Sequence, residues 1–399
     1  MRKIILSITT LLTFSLISYA QLTPDVTSWI RNTTGQTGYA GILSNVQTVQ
    51  YDATYTYVSC TCIPGYSIGP WAGNPNVPSN QNFVFEIPRH PAQNTGTATA
   101  VGLGHIGVWT NGVSIFNVSD AMSYNNQGIW NRNAYFWEGP GFDACLGHPQ
   151  QQGEYHHHVS PTCLYNQADS THHSPIIGYA FDGFPVYGAY AYTNTNGTGP
   201  IKRMKSSYVV STNTTRVNGP AVDNTYPEGC FIEDYSYVSG SGDLDQRNGR
   251  FCVTPDYPNG IYAYFVTIDD TLAPVFPYTF YGTYYGYVAT GDTGPGSGHV
   301  TITDSTTIYT AVNEINSHIK FELYPNPVKD YAYIYFDPLS SNNIKGTLYD
   351  AKGRLIETFN NMQPSISYAL DFTKYNAGMY FLHLQTDKET VIQKIVRVK

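Results

Sequence analysis

Residues 153–161 read GEYHHHVSP, and how this stretch folds decides both the local architecture and the chemistry that it can carry. If residues 155–159 form a strand, successive side chains point to opposite faces of the sheet. His156 and His158 then share one face, while Tyr155 and His157 share the other. Two imidazoles two residues apart can chelate one ion, with metal–nitrogen bonds of about 2.0–2.1 Å. The spacing therefore predicts a His-x-His metal site.

Further ligands for such an ion lie nearby in the sequence. His148 can supply a third nitrogen from the preceding loop, and one imidazole of the pair His172 and His173 a fourth, with His173 favoured. Asp182 can be an oxygen ligand or an acceptor that fixes the tautomer of an imidazole. The alternative is that the histidines form an exposed polar edge of a sheet. Because five of the eleven histidines fall within 18 residues, the metal site is favoured.

The composition predicts a mainly β fold. Charged residues make up 13% of the 399 residues, about half the usual share. The chain has 35 tyrosines and 36 glycines, and these residues favour strands and turns. Residues 21–319 carry 9 basic and 21 acidic residues. A body so poor in lysine has no patch for phosphates, so we do not expect nucleic acid as a partner.

The first twenty residues predict a secretory signal peptide. Arg2 and Lys3 precede an apolar run from Ile4 to Ile17, and a small-residue cleavage site ends at Ala20. A membrane anchor is the alternative, but the run is too short to span a bilayer comfortably. We expect no other transmembrane segment, and therefore a soluble mature protein.

Six cysteines in an exported chain suggest disulfide bonds. The spacing favours Cys145 with Cys163 and Cys230 with Cys252, which is one of 15 possible connectivities. The remaining two, in the CTC sequence at 60–62, form a strained ring if they pair, and can alternatively bind a soft metal as thiolates.

Composition divides the chain into five segments. These are a signal peptide (1–20), a polar lead-in (21–45), an aromatic-rich body (46–288), a Gly/Ser/Thr-rich linker (289–320) and a tail (321–399). The tail has short strands separated by turns and is predicted to be a small antiparallel β-sandwich.

The tail resembles the C-terminal sorting domain of the type IX secretion system. The resemblance is carried by FELYPNPVKD (321–330), LYDAKGRLI (348–356), YNAGMYFLHL (375–384) and KIVRVK (394–399). It implies the type IX machinery as a partner and passage across the outer membrane. The protein is then secreted or attached to the cell surface, with the tail removed or used for attachment.

The body resembles the YHYH domain, a family of secreted proteins named for a tetrapeptide that here reads Tyr155-His156-His157-His158. The resemblance extends over residues 50–288 and is carried by NFVFEIPRHP (82–91), GHIGVWTNGVSIFN (104–117), DACLGHPQQQGEYHHH (143–158), HSPIIGYAFDGFPVYG (173–188) and a long segment at 231–265. His157 replaces the second tyrosine, but the His-x-His pair is intact. The resemblance implies metal binding through these histidines and no particular reaction.

Two functions follow as hypotheses. The first is an exported protein that binds a transition metal of the copper or zinc type, since imidazole suits both. The second is a non-catalytic adhesin or glycan-binding protein that uses a surface of aromatic side chains, with Trp71, Trp109, Trp130 and Trp137 as candidates beside many tyrosines. A calcium site at Asp243, Asp245 and Asn248 is a weaker possibility, because their spacing is not that of an EF-hand. No set of residues indicates a catalysed reaction.

Overall fold

A computed structural model describes residues 22–213, 215–289, 291–310, 319, 321–336, 343–363, 367–386 and 389–399. The predicted signal peptide lies outside the described residues. The chain divides into two compact units, residues 1–309 and residues 310–399. Both consist mainly of β-strands, as the composition predicts. Within the described residues, no helix combines the length and apolar character that crossing a bilayer requires.

The first unit contains two one-turn helices and eighteen strands among its described residues. The helices are α1 (Pro24–Thr27) and α2 (Ala134–Trp137), and 3₁₀ turns span Tyr39–Gly41, Tyr124–Asn126, Gly139–Gly141 and Ile232–Asp234. The strands are β1 (Val46–Tyr51), β2 (Tyr55–Cys60), β3 (Phe83–Pro88), β4 (His105–Trp109), β5 (Ser114–Phe116), β6 (Ser119–Ser123), β7 (Asn131–Asn133), β8 (His148–Pro149), β9 (Tyr155–His157), β10 (Ile176–Ala180), β11 (Pro185–Tyr187), β12 (Tyr190–Tyr192), β13 (Ile201–Arg203), β14 (Tyr208–Val210), β15 (Tyr235–Tyr237), β16 (Gly249–Cys252), β17 (Ile261–Phe265) and β18 (Thr307–Ile308).

An eight-stranded sheet forms the centre of this unit, with the strand order β16-β17-β11-β10-β4-β5-β9-β8. Most neighbours are antiparallel, but β11 and β17 are parallel, as are β5 and β9. Every residue of β4 and β10 is buried, so both faces of the sheet are covered at its centre. The short strands β8 and β9 lie at one end of the order and carry the histidines of the 153–161 stretch.

A second sheet has the strand order β18-β1-β2-β3. Buried and half-buried residues alternate along β3, so that Phe83, Phe85 and Ile87 point into the core that this sheet shares with the eight-stranded one. The strand β18 lies in the segment predicted to be a linker, and it pairs with β1. In the same segment, His299 bridges to Val84. These residues therefore belong to the first unit.

The second unit is a small β-sandwich. Its described strands are β19 (Phe321–Tyr324), β20 (Tyr331–Phe336), β21 (Ile344–Asp350), β22 (Leu355–Met362), β23 (Ser367–Asp371), β24 (Gly378–Gln385) and β25 (Thr390–Arg397). They form two antiparallel sheets, β19-β20-β23 and β22-β21-β24-β25. Alternate residues of both sheets, among them Ile334, Leu348 and Leu382, are buried in one separate core.

One of the two expected disulfide bonds is present. Cys145 and Cys163 are bonded and close a loop around β8 and β9. The structure does not join Cys230 to Cys252, and both are buried free thiols. Their surroundings differ, since Cys252 packs in the main core while Cys230 lies beside the guanidinium of Arg216. The two cysteines of the CTC sequence are also buried free thiols.

Candidate metal centre

Strand pairing brings three histidines to one face of the sheet. The strands β8 and β9 are antiparallel, with His148 directly opposite His156. Side chains of directly opposed residues point to the same face. His158 follows β9 and returns to this face by the alternation that the sequence predicts. His148 and His156 therefore pair across two strands, while His156 and His158 lie two residues apart along the chain.

The ring nitrogens of these three histidines converge. One nitrogen from each of His148, His156 and His158 lies within 4.8 Å of the other two, and all three residues are buried. Nε2 of His156 and Nε2 of His158 are 3.1 Å apart. Two nitrogen ligands of a tetrahedral ion lie about 3.3 Å apart when each bond is about 2.0–2.1 Å. The separation therefore fits two ligands of one ion.

The opposite ring nitrogens fix the tautomers of two of these histidines. Nδ1 of His156 lies 3.1 Å from the carbonyl oxygen of Glu154, and Nδ1 of His158 contacts the carbonyl oxygen of Asn117. A carbonyl oxygen only accepts hydrogen bonds, so each Nδ1 carries the proton and donates it. Each Nε2 therefore keeps a lone pair, which is the form that binds a metal ion.

A carboxylate lies beside these nitrogens. Glu138 follows the one-turn helix α2, and its Oε2 is 3.0 Å from Nε2 of His158 and 3.5 Å from Nε2 of His148. Among the described residues, Nε2 of His148 has no hydrogen-bond partner. Buried polar atoms are almost always paired. An unpartnered imidazole nitrogen beside a carboxylate is an arrangement that a metal ion could complete.

Burial sets the protonation of the centre. It lowers the pKa of His148 to about 4, an effect to which His158 adds and which Glu138 opposes. Burial also lowers the pKa of His156 well below its ordinary value, with further contributions from His148 and His158. Burial alone raises the pKa of Glu138, but His158 and His148 outweigh it and hold that pKa below its usual range. Neutral imidazoles and an ionised carboxylate are the states that bind a metal ion.

The centre opens into a pocket of about 800 Å³. The histidines His148, His156 and His158 line it together with Glu138 and Glu154. On one side the ring of Phe116 stacks on His156, with 3.7 Å between ring centroids. An ion held by the three imidazoles would therefore be reachable from this pocket.

Known protein families match both the body and the tail of the chain. The family model described as YHYH protein matches residues 84–282. The chain is a YHYH-domain protein. The model described as secretion system C-terminal sorting domain matches residues 322–399. The protein is therefore exported by the type IX secretion system to the cell surface or the exterior.

No curated protein matches the chain. Among solved structures, dimeric latent PorU from Porphyromonas gingivalis matches at 24% identity and a TM-score of 0.17, covering 20% of this chain and 9% of that one. PorZ, a surface component of the type IX secretion system of the same organism, matches at 12% identity and a TM-score of 0.18, covering 89% of this chain and 51% of that one.

Two predicted ligands of the YHYH domain lie elsewhere. Nδ1 of His173 donates to the carbonyl oxygen of Ser174, and its ring packs on Tyr187, near β11. Asp182 accepts hydrogen bonds from Tyr264 and from a backbone amide, and burial raises its pKa to about 6. The strand β11 is four strands from β9, or about 19 Å at the usual spacing. The structure does not bring these two residues to the three histidines.

The other face of the tetrapeptide packs in the interior. The hydroxyl group of Tyr155 donates to the carboxylate of Asp143, and its ring contacts that of His157. His157 also lies edge-on to the buried Trp109. Burial lowers the pKa of His157 to about 3. His157, which replaces the second tyrosine of the motif, thus lies on the face away from His148, His156 and His158.

The proposed calcium ligands are engaged by protein groups. Asp243 pairs with Lys202 at 2.5 Å, and Asp245 accepts from the hydroxyl group of Tyr262. The amide of Asn248 donates to backbone carbonyl oxygens in the core. These contacts attach the loop to neighbouring strands and occupy the groups expected to bind calcium.

Sequence reasoning missed Glu138 and a second carboxylate near the centre. Glu154 accepts hydrogen bonds from Ser114 Oγ at 2.5 Å and from His105 Nδ1 at 3.0 Å. Its backbone carbonyl is the group that orients His156. The position of Glu154, two residues before the His-x-His pair, is the signal that could have identified it.

Proposed function

We propose that this exported YHYH-domain protein binds one transition-metal ion through His148, His156 and His158, with Glu138 as an adjacent carboxylate. The observation that carries the proposal is the convergence of three imidazole nitrogens, two of them 3.1 Å apart. His148 and His156 lie on two paired strands, and His158 directly follows the second of them.

Electrostatics supports a cation between these nitrogens. Nε2 of His156 and Nε2 of His158 both present lone pairs, because the protons are on Nδ1. Two such acceptors facing each other at 3.1 Å repel. A metal ion bound by all of these groups removes the repulsion.

The ligand set suits a copper- or zinc-type ion. Neutral imidazole binds zinc, copper, iron and nickel, and a carboxylate ligand is compatible with zinc. Bound there, such an ion can act as a Lewis acid on a ligand that enters the pocket. The three histidines that would hold the ion are buried.

The export route completes the proposal. Residues 1–20 act as a signal peptide that is removed, and the sorting domain is then recognised by the type IX machinery. The mature protein is secreted or attached to the cell surface, where its metal centre meets extracellular ligands.

Metal analysis tests the proposal directly. The full chain is purified without an affinity histidine tag, and its metal content is measured by mass spectrometry. We expect one ion per chain, lost in His156→Ala and in His158→Ala. His172→Ala is the matched control, because that imidazole is 80% exposed and pairs only with residues of its own loop.

Either of two results would overturn the proposal. Folded wild-type protein that takes up no ion from equimolar zinc or copper would rule it out. Equal loss of metal in His172→Ala would also do so, because that residue lies outside the centre. Circular dichroism of each variant shows whether the fold is retained.

A further inference from the structure

The pocket above the metal centre continues into a second one. The second pocket has a volume of about 270 Å³ and includes Tyr281 and Glu233 in its lining. Leu103, Ser119 and Ala121 line both pockets. The two pockets therefore adjoin at these three residues and together form a cleft that extends from the histidines to Tyr281 and Glu233. A single small ligand fills a site of about 300–1,000 Å³, so the cleft has room for an extended one.

The charges in this cleft are already compensated. Among the described residues that line it there is no lysine and no arginine. Its four carboxylates each have partners within the protein: Glu138 contacts His158, Glu154 contacts His105, Asp120 pairs with Arg132 at 2.7 Å, and Glu233 accepts from the amide of Asn131. The cleft offers no cationic side chain to an anionic polymer and no unpaired carboxylate to a cationic one.

Neutral polar groups and aromatic rings make up much of the remaining lining. Asparagine and glutamine side chains are frequent: Asn74, Asn117 and Asn131 already donate to protein groups, whereas the side chains of Gln151 and Gln152 are exposed. Trp137 lies in the first pocket and Tyr281 in the second, both half-buried, and the guanidinium of Arg132 covers one face of the Trp137 ring. Amide groups both donate and accept hydrogen bonds, and aromatic faces pack on the C–H faces of sugar rings.

We propose that the cleft binds an extended, uncharged oligosaccharide that passes over the metal centre. The proposal names the ligand class of the site described above and so rests on the proposed metal function. The hydroxyl groups of such a ligand match the amide lining, and its length matches the two joined pockets.

An extended peptide fits this cleft less well. Peptides commonly bind by adding a strand to an exposed sheet edge. The strand β8 is the last in the order of the eight-stranded sheet, but Pro149 has no N–H group to donate. The carbonyl oxygen of Pro149 already accepts from Asn74 at 2.9 Å. The edge that faces the cleft is therefore closed to strand addition.

Calorimetric titration of the metal-loaded full chain tests the inference. The probes are di- and hexasaccharides of β-1,4-linked glucose, xylose and mannose, with hexagalacturonate and a Gly/Ala hexapeptide for comparison. Leu103→Arg places a bulky side chain where the pockets join, at a residue that is 42% exposed. Val217→Arg is the matched control, since Val217 is 82% exposed and lines neither pocket.

We expect at least one neutral hexasaccharide to bind, and Leu103→Arg to weaken it about tenfold or more while leaving the disaccharide and the metal content unchanged. Val217→Arg should bind as the wild type does. The inference fails if no neutral saccharide binds, if Leu103→Arg has no effect on the hexasaccharide, or if the acidic saccharide or the peptide binds more tightly. Metal analysis of the same samples separates this failure from failure of the metal proposal: a metal-loaded protein that binds no saccharide refutes the ligand class alone.

Discussion

At the scale of single residues, two backbone carbonyl oxygens fix the tautomers of His156 and His158, two of the three proposed ligands. The carbonyl oxygens of Glu154 and Asn117 each hold the Nδ1 proton of one histidine. No side-chain substitution removes these acceptors, so the tautomers are built into the fold. What side chains can change is the charge beside the nitrogens, and that charge comes from Glu138.

Glu138→Gln should weaken metal binding without unfolding the protein. The side chain is 30% exposed, and glutamine keeps its size while removing the negative charge. Loss of such a carboxylate beside metal-bound imidazoles typically reduces affinity by about 10- to 100-fold. Competition with a chromophoric chelator measures this change. Glu233→Gln is the control, because that carboxylate contacts Asn131 in the second pocket; equal affinities for wild type and Glu138→Gln would exclude Glu138 from the centre.

The buried carboxylate of Asp292 makes the stability of the fold depend on pH. Asp292 is fully buried and accepts hydrogen bonds from the backbone amide of Glu86 at 3.1 and 3.2 Å. Burial raises the pKa of Asp292 to about 8, the charge of Glu86 adds to this, and the amide of Glu86 opposes it. The folded state therefore binds this proton more tightly than the unfolded state. The stabilisation is complete below the ordinary aspartate pKa and is lost as pH rises towards about 8.

Asp292→Asn should remove this part of the pH dependence. Asparagine resembles the protonated acid, so the variant should melt at a higher temperature than the wild type at about pH 9, and the difference should shrink at about pH 5. Thermal denaturation at both pH values measures it. The exposed Asp304→Asn serves as the control. A wild type that is more stable at the higher pH, relative to Asp292→Asn, would contradict the raised pKa.

At the scale of elements, the site depends on how closely β8 approaches β9. Gly147 precedes β8, and a Cβ atom there would lie 2.3 Å from the hydroxyl oxygen of Tyr155 and 2.9 Å from Nε2 of His157. Tyr155 is fully buried and hydrogen-bonded to Asp143, so it cannot move aside. Only glycine permits this approach.

Gly147→Ala should therefore shift His148 away from the other two histidines. Overpacking of this kind costs about 1–3 kcal/mol of unfolding free energy, and we expect metal affinity to fall as well. Urea denaturation of the metal-free protein and chelator competition measure the two effects. Gly102→Ala is the matched control, since a Cβ atom there meets no atom within 4 Å. Wild-type stability and affinity in Gly147→Ala would show that the strands do not need this contact.

The elements also explain which ligands the sequence could predict. Alternation along one strand is a local property, so His156 and His158 were predictable, and His148 was close enough in sequence to pair across. His173 does not lie beside these histidines, because the order of strands in the sheet differs from their order in the chain: β4 and β5 lie between β9 and β10. Glu138 follows a helix of four residues, too short to show helical periodicity. The expected bond between Cys230 and Cys252 depended in the same way on how separate segments pack, which the sequence alone does not show.

At the scale of the whole molecule, each unit has a hydrophobic core of its own. The first unit buries residues such as Phe85 and Val108 around its central sheet, while the sorting domain buries Ile334 and Leu382 between its two sheets. The charges differ too, since residues 21–319 carry 9 basic and 21 acidic residues and residues 320–399 carry 10 and 8. A chain with two separate cores need not unfold in one step.

Differential scanning calorimetry of the full chain should show two transitions, and chelation should affect only one of them. The three proposed metal ligands all lie in the first unit, and an ion that binds only the folded state stabilises the unit that binds it. Removing metal with a chelator should therefore lower the melting temperature of the larger transition and leave that of the sorting domain unchanged. His156→Ala without chelator should reproduce the shift, because it removes the ligand instead of the metal. A single transition that shifts as a whole would mean that the two units unfold cooperatively, and the assignment of separate cores as independent folding units would then be wrong.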